Sequence, residues 1–157
     1  MSIDDIIGHV EAMGGVLTLR PQPGDGSPEV SWGDVFFYYA PDEVVPKTQP
    51  FATVVTKNYP DDEASRLDRP GAFRVNVSAG AAEFLARTGQ HPKDSAAPDL
   101  DPSTPDVVIP HPVYSRLGWL CVVNPGPRTT STVQDLLETA HGLARKRYHR
   151  RSEPRPR

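Results

Sequence analysis

The 157 residues carry 37% hydrophobic side chains, 18 prolines and a formal net charge of −3, enough chain for one domain with a core and long, stiff connections. No stretch approaches the roughly 18 apolar residues of a membrane helix, and one cysteine, Cys121, excludes an internal disulfide and any multi-cysteine metal site. The start, Met1-Ser2-Ile3-Asp4-Asp5, is acidic where a secretory leader is basic and no apolar run follows, so the expected location is cytoplasmic.

Ser2 is a good helix N-cap, with Asp4 and Asp5 in the first turn and Ile3, Ile6, Ile7, Val10 and Met13 at helical spacing before the Gly14-Gly15 stop. Val16 to Arg20 reads as a strand, followed by a Pro/Gly loop over 21–28. Val30 to Trp32 and Val35 to Ala40 read as a hairpin about Gly33-Asp34. Phe51 to Lys57 is the most apolar strand and is expected near the centre of the sheet. Residues 58–71 hold at best a short helical piece, and Phe73-Arg74-Val75-Asn76-Val77 alternates apolar with polar. Ala79 to Thr88 is a second helix, closed by Gly89. The stretch 90–112 is irregular and rich in Pro, Asp and Ser. Trp119 to Asn124 is the last strand. An amphipathic helix then begins near Thr130 or Ser131 and buries Val133, Leu136, Leu137, Ala140, Leu143 and Ala144.

Helix, strand meander, helix, strand, helix describes an α+β two-layer sandwich: a largely antiparallel sheet of five to six strands, with the N- and C-terminal helices on one face. Residues 1–148 form this single domain, and 149–157 a basic, disordered tail. Residues 145–157 hold seven Lys or Arg against Glu153, a charge of +6 on a body of −9. That end can contact nucleic acid, or simply be a solvated helix terminus whose cations suit the helix dipole.

Phosphate-loop, dinucleotide, zinc-protease and hydrolase-elbow signatures are missing, and the five histidines lack ligand spacing, so no cofactor and no metal is expected. If Phe73, Val75 and Val77 face the helices, Arg74 and Asn76 project from the other face, which the helices leave partly open. Lys57 ends the neighbouring strand, and His111 and Tyr114 precede Trp119. Arg and Lys suit an anionic group, His111 suits proton transfer near neutrality, and Trp32, Tyr38 and Tyr39 can form a stacking wall. The plainer alternative is that Arg74 pairs with Asp61, Asp62 or Asp68 and holds 58–71 down, while Trp119 is core. Three functions stay open: a binding module for an anionic small molecule or peptide, an enzyme with His111 as acid or base and Arg74 and Lys57 fixing the substrate, and a nucleic-acid binder through the basic end.

The element order, Arg74-Val75-Asn76-Val77, the Tyr114–Trp119 segment and the closing helix resemble the MmcQ/YjbR-like family over roughly residues 1–148. The resemblance implies a double-wing, frataxin-like fold, loosely described as DNA-binding. Two departures stand out: only Arg116 replaces a basic pair before Trp119, and Asp4, Asp5 and Glu11 are too few for the acidic ridge with which frataxins bind iron. Trp-Gly-Asp-x-Phe-Phe-Tyr-Tyr (Trp32 to Tyr39) and Ile109-Pro110-His111-Pro112-Val113-Tyr114 look closer still to an uncharacterised group of small bacterial proteins.

Overall fold

The computed structural model describes residues 1–96 and 99–152. Helix α1 (Ile3–Glu11) opens with a capping box: Asp5 N–H donates to Ser2 Oγ at 3.1 Å and Ser2 N–H to the Asp5 carboxylate at 2.9 Å, satisfying two backbone donors that a helix start leaves free. The backbone N–H of Ser2, and then its hydroxyl, hold the Asp5 carboxyl below its ordinary pKa. Strands β1 (Val16–Leu19), β2 (Val35–Tyr39), β3 (Ala52–Val55) and β4 (Arg74–Ser78) form an antiparallel meander. Helix α2 (Gly80–Thr88), β5 (Ile109–Pro110), β6 (Trp119–Val123) and α3 (Thr130–Ser152) complete the domain. The six strands lie in the order β1-β2-β3-β4-β6-β5, with every neighbouring pair antiparallel. The architecture is the expected α+β sandwich, with β3 and β4 at its centre.

One face of the sheet presents Val35, Phe37, Ala52, Val54, Val75, Val77, Leu120 and Val122. Against it pack Ile6, Ile7 and Val10 of α1, Phe84 of α2, and Val133, Leu136, Leu137 and Ala140 of α3. These are the positions that helical spacing singled out in α1 and α3. Among the described residues no helix is long and apolar enough to cross a membrane.

Two expectations change. Val30 to Trp32 is not a strand: Glu29–Ser31 forms a 3-10 turn, and β2 pairs instead with β1 and β3. The Gly33-Asp34 pair is not a hairpin tip because the Asp34 carboxylate is drawn inward to the residues that follow β3. Next, α3 continues through residues 149–152 of the segment expected as a tail, while 153–157 lie outside the described residues. The second face of the sheet is partly open, as expected. Residues 57–72 fold back over one end of it, where Leu67 packs on Val55 and Val123 with Tyr59 and Ala72 alongside.

The irregular stretch before β5 is tied down by one carboxylate. Asp106 accepts from the backbone N–H groups of Gly126 (2.8 Å), Arg128 (3.1 Å) and Thr129 (3.0 Å), and from the Thr129 hydroxyl. The Thr129 hydroxyl, with the backbone donors behind it, outweighs desolvation and holds Asp106 below its ordinary pKa. A side chain 20 residues upstream in sequence thus organises the entry to α3.

Candidate functional site

On the second face, strand alternation aligns Phe36, Thr53, Asn76 and Cys121 in one row and Val55, Arg74 and Val123 in the next. Arg74 therefore projects away from the helices, as its alternation requires, yet it is 1% exposed. Its Nε donates to Asn76 Oδ1 at 2.7 Å, and Nη1 donates to Asp62 Oδ1 and Ser65 Oγ, each at 2.9 Å. Nη2 donates to Asp62 Oδ2 and lies 3.0 Å from His111 Nε2. All five N–H groups of the guanidinium face atoms of the protein itself. The fork-to-fork pairing with Asp62 gives the ion pair its geometry and pins 57–72 to the sheet. Burial raises the Asp62 pKa, but the hydrogen bonds and charge of Arg74, helped by His111, outweigh it and leave the carboxyl below its ordinary value.

His111 is held as tightly. Its Nδ1 faces the backbone N–H groups of Val113 and Tyr114, both at 3.0 Å, and its ring lies 5.0 Å from that of Tyr114. Every hydrogen-bonding neighbour within 3.0 Å of the ring is a donor. A neutral imidazole accepts at one nitrogen and an imidazolium at none, so the surroundings hold the ring neutral. Burial, then the charge of Arg74, push its pKa down to about 3 against the opposing pull of Asp62. At 3% exposure, with Nδ1 accepting from two backbone N–H groups and Nε2 set against the Arg74 guanidinium, His111 is a poor proton shuttle at neutral pH.

Beside this satisfied triad lies a cavity of about 600 Å3, walled by Tyr38, Thr53, Arg74, Asn76, His111, Tyr114 and Trp119 among others. Five of the seven residues that the sequence pointed to thus meet in one place: Arg74, Asn76, His111, Tyr114 and Trp119. Lys57 and Trp32 do not join them. The Lys57 ammonium donates to Trp32 O at 2.6 Å and to Asp34 Oδ1 at 2.9 Å, and the Trp32 indole N–H donates to Ser27 O at 3.3 Å. The reason is Asp34, a turn residue by sequence but 1% exposed. It collects Thr56 N–H (2.8 Å), Thr56 Oγ1 (3.0 Å), Lys57 and the Tyr59 hydroxyl, and so takes Lys57 away from the cavity. Burial first, and then the bond to Asp34, raise the Tyr59 pKa.

The donors left over on the cavity wall are neutral. Among the described residues, neither the Trp119 indole N–H nor the Tyr38 hydroxyl has a protein partner, and neither is sealed from solvent. Asn76 spends one amide N–H on Thr53 Oγ1 at 2.9 Å and keeps its second. Exposed apolar side chains line the mouth: Val113 at 41%, Tyr114 at 50% and Leu117 at 72%. Cys121 lies in the floor row, 1% exposed, its thiol pushed up to about 12 chiefly by burial, which makes it inert as a nucleophile. Among the described residues no group of three or more His, Cys, Asp or Glu is placed to hold a metal ion.

A second hollow of about 570 Å3 shares the wall formed by Tyr38, Gln49, Pro50, Leu117 and Trp119 and continues towards the end of α3. It escaped the sequence reading because it joins Lys47 of the β2–β3 connection to Arg147 and Arg151, a hundred residues away. The i, i+4 spacing of the two arginines was the available signal.

A family model described as a family of unknown function, DUF6194, matches residues 1–153, and the chain belongs to that family. No curated protein and no solved structure matches. The match accords with the resemblance to a group of unknown function; these comparisons add no support for the MmcQ/YjbR-like likeness.

Proposed function

We propose that this member of the family is a binding module that holds a small molecule in the cavity on the second face of the sheet. One observation carries the reading: a concave, partly apolar space of ligand size in which Trp119, Tyr38 and Asn76 offer unspent donors above a polar floor already satisfied by its own bonds. Such a floor is rigid and needs no ligand to complete it. The ligand class is a flat, apolar body bearing hydrogen-bond acceptors. The double-wing likeness enters the proposal at the level of the fold alone, with helices backing one face and the other left to a ligand.

An anionic ligand fits this reading only if its charge is met outside the triad, since Arg74 is 1% exposed and its charge is already met by Asp62. Nothing in the geometry favours acid–base chemistry at His111, whose nitrogens point at donors. The test uses phenol and indole as probes, with the Trp119 indole N–H resonance as reporter in a Trp32→Phe background. Both probes are expected to shift that resonance saturably. Trp119→Phe keeps most of the ring and removes the donor, a loss of about 1–3 kcal/mol when a buried partner goes unmet, and phenol affinity measured by calorimetry is expected to fall accordingly. Absence of any saturable shift with both probes would refute the proposal.

A further inference from the structure

The second hollow differs from the first in charge. Its lining contains three cations, Lys47, Arg147 and Arg151, and no carboxylate. All three are exposed, and among the described residues none makes an ion pair or hydrogen bond. This contrasts with Lys57 and Arg74, whose charges are each met by a buried or half-buried aspartate. Cations at the end of α3 suit the helix dipole, which accounts for arginines there in general. It does not account for Lys47, which arrives from a different connection to face the same space.

The walls are aromatic: Tyr38, Tyr39, Tyr148 and Trp119. Tyr39 and Tyr148 meet edge to face with ring centres 5.3 Å apart. Gly15 fixes the back of Tyr39, since a Cβ there would stand 2.6 Å from the ring, at a φ of +68° that favours glycine in any case. The hollow therefore combines a fixed aromatic wall with unpaired positive charge, and it shares Tyr38 and Trp119 with the first cavity, whose lining holds the Asp62–Arg74 pair and the exposed Asp61.

We infer that the two hollows form one composite site, in which Lys47, Arg147 and Arg151 bind the anionic group, a phosphate or a carboxylate, of a small molecule whose flat body lies against Tyr38 and Trp119. The inference rests on the binding-module reading and adds to it the charge of the ligand and where that charge is held. Arg147 and Arg151 supply planar donors suited to either oxyanion, and Lys47 a mobile point charge opposite.

The test compares phenol, benzoate and phenyl phosphate by titrating the Trp119 indole N–H resonance in the Trp32→Phe protein. Phenyl phosphate or benzoate is expected to bind at least tenfold more tightly than phenol, with an affinity that falls as NaCl rises from 20 to 300 mM. Lys47→Gln with Arg147→Gln should bring the anionic probes to the phenol level and leave phenol itself unchanged. Which anion gains more separates phosphate from carboxylate recognition. If phenol binds but the anions bind no better, or if the double variant leaves their affinity unchanged, this inference falls and the binding module stands. If none of the three probes moves the resonance, both fall. A fourth arm adds a twelve-nucleotide single-stranded DNA. Tight, steeply salt-dependent binding of it that is lost in the double variant, without any gain for the small anions over phenol, would make the patch a nucleic-acid surface and overturn the inference.

Discussion

Acid should destabilise this protein through His111 well before its carboxylates are protonated. The ring titrates near 6.5 when unfolded and near 3 in the fold, so the unfolded chain binds a proton that the native state refuses. A group depressed in this way contributes its full stability above pH 6.5 and loses it as the pH falls towards 3. Each unit in that window is worth about 1.4 kcal/mol, so the loss grows to a few kcal/mol by pH 4. Asp62 is also depressed, with the same sign, but its window opens only below its ordinary value of 3.8. The measurement is urea unfolding at half-unit steps from pH 7 to pH 4, wild type against His111→Gln. Glutamine gives up the titration and keeps an acceptor, so the variant carries a nearly constant offset above pH 4, where Asp62, the carboxylate whose pKa His111 helps set, is outside its window. The wild-type curve is expected to fall more steeply by up to about one proton, or 1.4 kcal/mol per pH unit. Parallel curves between pH 6 and pH 4 would refute the account of a ring walled in by donors.

Two further expectations follow from the other polar anchors. Asp62→Asn strands a buried guanidinium and Arg74→Met strands a half-buried carboxylate. Each is expected to cost about 3–5 kcal/mol, and the double variant less than the sum, read from urea midpoints in a double-mutant cycle; additive costs would show that the pair is not coupled. Asp106→Ala is expected to lower the melting temperature and to speed amide exchange at Gly126, Arg128 and Thr129, the three backbone donors it accepts from, while amides in the middle of β4 keep their protection.

Local chemistry made some of this legible in the sequence. Ser2 and the Ile3–Ile6–Ile7–Val10 spacing fixed α1, and the alternation of Phe73 to Val77 placed Arg74 and Asn76 on the face away from the helices. What alternation cannot express is whether that face is covered. The answer depended on 57–72 folding back, which is decided by Asp62 meeting Arg74 across 12 residues and His111 meeting it across 37. Lys57 was assigned to the cavity because it ends an apolar strand, but Asp34, read as a turn residue, recruits it instead. The hairpin at Gly33-Asp34 failed for the same reason: a carboxylate that looks like turn chemistry is 1% exposed and serves as an anchor. The charged hollow needed residues 47 and 147 in one place, a coincidence that no window along the chain contains.

Asp34, Asp62 and Asp106 share a design whose consequence is architectural tolerance. Each fixes a length of irregular chain at a single point, by spending one carboxylate on several donors at once. The exposed positions 41–45 carry no such anchor and line neither hollow, so peptide inserted after Asp42 would extend a surface loop without disturbing a strand register or the cavity. The molecule can therefore be re-equipped at its rim, for another ligand or a fused reporter, while the frame beneath stays as it is.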